Sequence, residues 1–421
     1  MGIVYGIAFF LLILVTVALH EVGHMVPAKI FGVRVPQYFV GFGPTAWSFK
    51  KGGTEYGIKW FPLGGFVRLL GMYPPARSGK ETRFKAWMDE ARGAEWDEIT
   101  ADDVASGNLF YQKKTWQKII VMFGGPCMNL VLAFLIFWGI NGIYGVNEVT
   151  TTVASVQQCI PAQAGAECTS SDPLTPAVEA GLEPGDKIVS FNGTQISSQP
   201  QLSGLIQANR DGEARISVER GGSTVELTPV HTRLVSREYS DGTVQELGYL
   251  GFTAQVGRFS KGPGYTLEQM WDMTTASVEA LVRLPVSAYE AVADTVSGQQ
   301  RDPNTSPMSI VGASVVAGDV AASPDYDPGV KVAMFASLLG SLNLFLAIFN
   351  LVPLPPLDGG HIAAAIYEWL KRKGAKLLGR PDPGYFDTAK VLPITFVVGG
   401  ILLVLGVALI LADIINPIDL I

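Results

Sequence analysis

The chain has 421 residues, of which 48% are hydrophobic and only 16% are charged. This composition is too apolar and too poor in charge for a typical soluble protein, and the length allows roughly two or three units of domain size. The net charge of −7 argues against nucleic acid as a partner, because the sequence contains no basic stripe that would neutralise phosphates.

Four apolar stretches are long enough to span a membrane as helices. The first could be mistaken for a signal peptide, but it lacks a basic start and a small-residue cleavage site, so we expect it to be retained. The sequence therefore predicts a polytopic α-helical membrane protein with about four transmembrane helices. The apolar cores of these helices cover residues 3–19, 119–145, 332–352 and 391–415.

Lysine and arginine near the helix ends predict the orientation. Basic residues flank the helices in the loops 25–118 and 361–390, whereas residues 141–183 contain none. Both loops are therefore expected in the cytoplasm, and the segment 150–331 and both termini outside. The first helix (1–24) and the third (332–360) then both run inward, so motifs at their ends reach one depth near the cytoplasmic face.

The first of these motifs is HEVGH, at the end of the first helix. On a helix, His20 and His24 are one turn apart and project from one face, so both imidazoles can bind a single ion, with Glu21 beside them to act on a water. Zinc suits two histidines and a carboxylate with a fourth position left open. The motif can arise by chance in soluble proteins, but ionisable residues at the end of an apolar helix are costly in lipid and usually functional.

A third ligand must come from a distant part of the chain. Asp358, in the motif LDGG, is the best candidate because it is expected at the same depth on a helix that can pack beside the first. The alternative for this motif is a simple turn with a capping aspartate. His361 can also approach the metal, but we favour a structural role for it.

Several segments together resemble the site-2 protease family, in particular its RseP-type bacterial branch. Besides HEVGH, they are NLVPLPPLDGGH at 350–361, GGPCMN at 124–129 and GFGP at 41–44. The resemblance covers essentially the whole chain. It implies zinc-dependent cleavage of single-span membrane proteins, with His20, His24 and Asp358 as ligands of one Zn²⁺ per chain and Glu21 as the general base.

The resemblance also implies a location in the bacterial inner membrane and substrates such as anti-sigma factors, cut after a first protease has trimmed their outside domain. A membrane scaffold that has lost catalysis is an alternative, but the intact Glu21 speaks against it. A transporter is a further alternative, against which the lack of a repeated helix pair speaks.

A helical substrate must be unwound before it is cut, because its carbonyls are engaged in hydrogen bonds. Pro353, Pro355 and Pro356 interrupt the third helix and leave backbone groups that can pair with a strand, and we assign Pro353 and Pro355 to substrate binding. Asn350 can steady the oxyanion or the substrate backbone, or instead bond a neighbouring helix. In the loop 25–118, residues 45–50 and 56–60 predict a membrane-associated β-hairpin whose edge accepts the substrate as an added strand.

The outside segment contains TPAVEAGLEPGDKIVSFNG at 175–193, which closely resembles the core of a bacterial PDZ domain, predicted over 150–233. Such a domain binds extended peptides or acts as a steric gate. We favour the gate because residues 157–172 interrupt the expected carboxylate-binding loop. Cys159 and Cys168 either pair in an oxidising compartment or remain free thiols.

Two further segments give weaker patterns. The linker 234–331 contains an amphipathic helix over 267–292, expected to break at Pro285 and to lie on the outer membrane surface. The acidic run at 87–103 is expected to be solvated and disordered.

Overall fold

The computed structural model describes residues 2–75, 85–160, 168–169, 172–238, 244–302, 305–324 and 326–418. The chain divides into two compact units, one from Met1–Tyr144 with Gly262–Ile421 and one from Gly145–Lys261. The first unit is mainly helical and the second is rich in β-strands. The predicted class, a helical membrane protein with a β-rich insertion, is confirmed at this level.

Four helices of the first unit are long and apolar enough to cross a membrane, as predicted: Gly2–Ile30, Thr115–Tyr144, Pro328–Asn350 and Thr388–Ile415. The second of these spans ends in a π-helical turn at Ile140–Tyr144, and the fourth begins with a 3-10 turn at Thr388–Val391. In the described part of the chain the α-helices are α1 (Gly2–Ile30), α2 (Lys85–Trp96), α3 (Ala101–Ala105), α4 (Thr115–Gly139), α5 (Pro176–Ala180), α6 (Gln199–Asn209), α7 (Pro263–Ser297), α8 (Ile310–Ala322), α9 (Pro328–Asn350), α10 (Asp358–Leu377) and α11 (Leu392–Ile415).

The third membrane helix ends before LDGG, as the prolines predicted, so the predicted range 332–360 is divided between two helices. Helix α9 ends at Asn350, and a new helix, α10, begins at Asp358. Prolines in the intervening segment supply no main-chain N–H, so the helix cannot continue. A Cβ at Gly359 would collide with two carbonyls at the end of α9, so glycine permits the tight turn. The predicted loop 361–390 is consequently helical as far as Leu377.

The helices α1 and α4 cross at glycines. A Cβ at Gly23 would collide with the carbonyl of Gly124, and a Cβ at Gly124 with the carbonyl of Gly23. Small residues at such a crossing allow the two backbones to touch, the usual way that helices associate in lipid. The second half of α1 is thereby fixed against α4, with Met25, Val121 and Met122 buried beside the crossing.

The predicted hairpin is confirmed, as β1 (Gln37–Lys51) and β2 (Thr54–Arg68), which pair as a small sheet. The turn at Gly52 and Gly53 has φ of 58° and 76°, a left-handed conformation that glycine adopts without strain. Residues 37–40 pair on one side with 55–58 and on the other with 65–68. Residues 65–68 therefore form one edge of the sheet, and residues 45–51 form the opposite edge.

The second unit is built on the antiparallel sheet order β12-β3-β4-β7-β8. Its core contains Ile188, Phe191, Leu202 and Val218. The strands are β3 (Val146–Val156), β4 (Lys187–Phe191), β5 (Thr194–Gln195), β6 (Glu213–Ala214), β7 (Ile216–Arg220), β8 (Ser223–Glu226), β9 (Val230–His231), β10 (Arg233–Glu238), β11 (Val244–Tyr249) and β12 (Phe252–Phe259).

This unit extends further than the predicted range of 150–233. Strand β12 pairs along β3, so the sheet needs residues well beyond Arg233, and the compact unit ends at Lys261. Cys159 and Cys168 form a disulfide with a Cα–Cα distance of 5.9 Å, which decides between the two alternatives for these thiols. Most of the interrupting segment between the two cysteines lies outside the described residues.

The prediction of disorder for the acidic run 87–103 was wrong. Helices α2 and α3 occupy it, and the carboxylate of Glu95 accepts hydrogen bonds from the main-chain N–H groups of Gly71, Met72 and Tyr73 at 2.7–2.9 Å. Burial raises the pKa of this carboxyl, although the three N–H groups oppose the shift. The acidic side chains thus satisfy buried backbone donors, which a count of charges cannot reveal.

The break expected at Pro285 was also wrong, since α7 runs through it to Ser297. Beyond the proline, Ala288 and Ala291 are buried against Leu409 of α11. This packing stabilises the second half of α7, and a proline removes only one hydrogen bond from the ladder.

A buried ion pair ties the residues after α7 to the end of α11. Arg301 Nη1 lies 2.6 Å from Asp413 Oδ1, and the two side chains are 0% and 1% exposed. Arg301→Ala is expected to lower the free energy of unfolding by about 3–5 kcal/mol, because Asp413 would remain buried without its cation. Thermal unfolding in detergent would measure this. Arg283→Ala, which removes a 73%-exposed cation, serves as the control; equal shifts of the two variants would contradict the expectation.

Candidate metal centre

Three predicted residues, from two distant parts of the chain, meet at one point. His20 and His24 project from α1, and their Nε2 atoms lie 3.2 Å apart. Asp358 stands at the first position of α10, with Oδ2 at 3.4 Å from His20 Nε2 and 3.3 Å from His24 Nε2. Helix α10 is held against α4 by Lys118, which donates to both carboxylate oxygens of Glu368 at 3.0 and 3.1 Å.

The donor set fits a tetrahedral zinc ion. Three ligand atoms at about 2.0–2.1 Å from zinc are about 3.3 Å from one another, and the observed separations are 3.2–3.4 Å. His24 Nδ1 lies 2.8 Å from the carbonyl oxygen of Val121, so that nitrogen holds the proton and Nε2 is free to bind a metal. Asp358 Oδ2 is buried and, among the described residues, receives no hydrogen bond of normal geometry. A cation between the three atoms would satisfy it.

Glu21 lies beside this group, against the edge of the small sheet. The main-chain N–H of Val67 donates to its carboxylate. A Cβ on Gly65 would lie 3.3 Å from Glu21 Cγ, so the strand approaches closely because glycine stands there. Tyr38 donates to the carbonyl of Ala18 at 2.7 Å, and burial, reinforced by the Glu21 charge, raises its pKa to about 12. Tyr38 is therefore a neutral donor at physiological pH.

A cavity of about 410 Å³ opens over the group. His20, His24, Glu21 and Asp358 line it, as do residues 65–67 of the sheet edge. Of the predicted substrate-binding residues, Asn350 lines the cavity, and so does Pro356, the third of the prolines predicted to interrupt the helix. Among the described lining residues, Pro353 and Pro355 do not occur.

His361 lines the same cavity, three residues after Asp358. Loss of solvation lowers the pKa of its imidazole, and the Asp358 charge opposes this shift. Within the described chain, the group able to hold a metal consists of His20, His24 and Asp358, without His361.

The sequence analysis missed two residues of α4 that shape the site. Asn129 lines the cavity and is 2% exposed, and its Oδ1 has no hydrogen-bond partner among the described residues. Gly125 faces both histidines, and a Cβ there would collide with Nε2 of His24 and lie 2.6 Å from Nε2 of His20. Both belong to the motif GGPCMN at 124–129, whose family resemblance does not indicate this geometry.

Known proteins match the chain along nearly all of its length. The model of the family described as Peptidase family M50 matches residues 8–378. The chain is 35% identical to the zinc metalloprotease Rip1 of Mycobacterium tuberculosis, with 100% of both chains covered. It is 33% identical to Rip1 of Mycolicibacterium smegmatis, with 98% of both covered, and 30% identical to the metalloprotease MmpA of Caulobacter vibrioides, with 85% of both covered.

Proposed function

The chain belongs to peptidase family M50 and is a zinc metalloprotease of the site-2 type, and from this premise we propose that it cuts single-span membrane proteins near the cytoplasmic face. Substrates of the anti-sigma-factor kind, already trimmed outside by another protease, fit the family resemblance of the sequence. The observation that carries the proposal is the convergence of two imidazoles and one carboxylate at 3.2–3.4 Å beside a further carboxylate, Glu21.

In this proposal His20, His24 and Asp358 hold the zinc and Glu21 is the general base. When bound, zinc polarises the scissile carbonyl and lowers the pKa of water. The Glu21 carboxylate takes a proton from the attacking water and passes it to the leaving amine. The N–H of Val67 keeps that carboxylate in position, and Asn350 faces the same cavity, where it can donate to the substrate backbone.

The depth of the cut rests on the distribution of basic residues. Lys29 lies in the last turn of α1, Lys114 directly precedes α4, and Lys371 lies in the second half of α10. Positive residues favour the cytoplasmic side. In the inner membrane of a bacterium the metal centre would then face the cytoplasm, with the unit Gly145–Lys261 and both termini outside. Cleavage there releases the cytoplasmic part of the substrate.

The unit Gly145–Lys261 is proposed to be a PDZ-type gate for substrates. Its helix α5 is capped at the N-terminus by Thr175 and at the C-terminus by Gly181 at φ 78°, and strand β4 follows, the order expected from the resemblance. A gate of this kind excludes substrates that still carry a bulky folded domain outside, and so imposes the order of two cuts.

A pair of reporters tests the proposed function. Both carry the same single membrane helix, and one also carries a folded outside domain. In liposomes containing the purified chain, the trimmed reporter is expected to be cut at least about ten times faster, because only it passes the gate. Fragment masses locate the cut. A site on the outer side of the helix would contradict the orientation, and equal rates would contradict the gate.

Residues 65–68 are the part of the small sheet proposed to receive the substrate. They form an edge, and 65–67 line the cavity beside Glu21. A substrate added there as a strand would have its carbonyls freed from helical hydrogen bonds. The predicted segment 45–60 contains the opposite edge of the sheet, at 45–51, and does not contain residues 65–68.

Disulfide trapping distinguishes the two edges. In a Glu21→Gln, Cys127→Ala background, Phe66→Cys is expected to trap reporter cysteines at every second position around the cut, because side chains alternate along a strand. The control is Trp47→Cys on the opposite edge, at a site where the side chain is 60% exposed. Trapping by Trp47→Cys at the same level, or trapping without alternation, would count against strand addition.

A further inference from the structure

A second, larger cavity of about 1110 Å³ lies between the start of α4 and the second half of α10. It is separate from the metal centre, and none of the functions described above uses it. Among the described residues, its titratable lining consists of Lys114, Arg372, Lys373, Lys376, Arg380 and Asp382.

The charge of this lining is strongly positive. Asp382 pairs with Arg372, at 2.6 Å between Oδ2 and Nη2 and 3.1 Å between Oδ1 and Nε. Five cations against one carboxylate leave four positive charges, in a chain whose net charge is −7. Among the residues that the structure describes, Lys114, Lys376 and Arg380 make no ion pair with a carboxylate. Converging cations without counter-ions are a site for an anion, and phosphate suits lysine and arginine best.

The apolar part of the lining places the ligand in a membrane. Trp116 and Trp369 are 52% and 45% exposed, and tryptophan at such positions is typical of the membrane–water interface. Lys373 Nζ lies over the Trp369 ring, 4.8 Å from its centroid, in a cation–π contact. The nearby Leu370 and Leu377 are 54% and 79% exposed. A soluble phosphate would leave this apolar surface uncovered, whereas acyl chains would cover it.

We propose that this cavity binds the headgroup of one anionic phospholipid, with the phosphate on the cations of α10 and the acyl chains along Trp116 and Trp369. Basic pockets on the cytoplasmic side of membrane helices are suited to such headgroups. The site lies on the same helix whose first residue is Asp358, so the lipid would fix the far end of α10.

Retention of defined lipids by the purified full-length chain tests the proposal. The protein is delipidated and titrated with phosphatidylglycerol or phosphatidylcholine, and bound lipid is counted by native mass spectrometry. One phosphatidylglycerol is expected to bind, with phosphatidylcholine binding at least about ten times more weakly. Equal retention of the two lipids would overturn the proposal. Displacement of phosphatidylglycerol by glycerol phosphate at matched concentration would show a soluble-phosphate site instead, and would also overturn it.

Matched variants test the location. Lys373→Gln, Lys376→Gln and Arg380→Gln together are expected to weaken phosphatidylglycerol binding on the order of 100-fold. The control, Lys187→Gln with Arg215→Gln and Arg233→Gln, removes the same charge from exposed positions of the other unit and should leave binding unchanged. Lys373→Arg with Lys376→Arg keeps the charge and should retain the lipid even if the glutamine variant is unstable. Unchanged binding in a folded glutamine variant, or loss in the arginine variant, would place the lipid elsewhere.

Discussion

Glu21→Gln is expected to reduce cleavage by about 10²–10⁴-fold while leaving zinc bound. The amide keeps the size of the side chain and can still contact the N–H of Val67 through its oxygen, but it cannot take a proton from water. His20, His24 and Asp358 remain in place, so the metal has all of its proposed ligands. Initial rates on the trimmed reporter and zinc content per chain, measured on the same preparation, check both halves of this expectation.

Asp358→Ala separates the role of a ligand from that of a base. It removes one of the three proposed ligand atoms, so both zinc and cleavage are expected to be lost. Glu246→Gln, at an exposed position in the other unit, is the matched control and should behave as the unaltered chain. Full cleavage by Glu21→Gln would refute its role as the base. Zinc retained by Asp358→Ala would refute its role as a ligand.

The sequence predicted the metal group because three kinds of local information agreed. HEVGH gave two ligands at helical spacing, the length of the apolar stretches gave the membrane helices, and flanking charges gave their direction. The predicted orientation placed Asp358 at the depth expected for His20, although more than 330 residues separate them. In the structure the ligand atoms of these three side chains lie 3.2–3.4 Å apart.

Other features depend on contacts that periodicity and charge do not encode. The turn after Asn350 was visible as a run of prolines, but the start of α10 at Asp358 depends on a close approach that only Gly359 permits. Glu95 looked like part of a solvated acidic run because its partners are main-chain N–H groups of another segment. The sheet edge at 65–68 was missed because pairing on both sides of 37–40 is a tertiary property.

Gly125→Ala is expected to remove zinc and activity without altering any proposed ligand. The added methyl would collide with Nε2 of His24 and approach Nε2 of His20, the atoms proposed to bind the metal. Moving the helices apart to make room would break the close packing of Gly23 against Gly124 one residue away. Zinc per chain should fall to background, and cleavage by at least about 100-fold, as expected for loss of the metal.

Gly139→Ala on the same helix is the matched control, since a Cβ there meets nothing within 4 Å. Alanine favours a helix over glycine by about 1 kcal/mol, so this control should keep its zinc and unfold at a slightly higher temperature. The same gain in propensity applies at Gly125, and any loss there must come from the collision with the histidines. If Gly125→Ala kept its zinc and its cleavage rate, α4 would have room beside the histidines. That result would show that close packing of α4 against His20 and His24 is not required for the geometry of the metal centre.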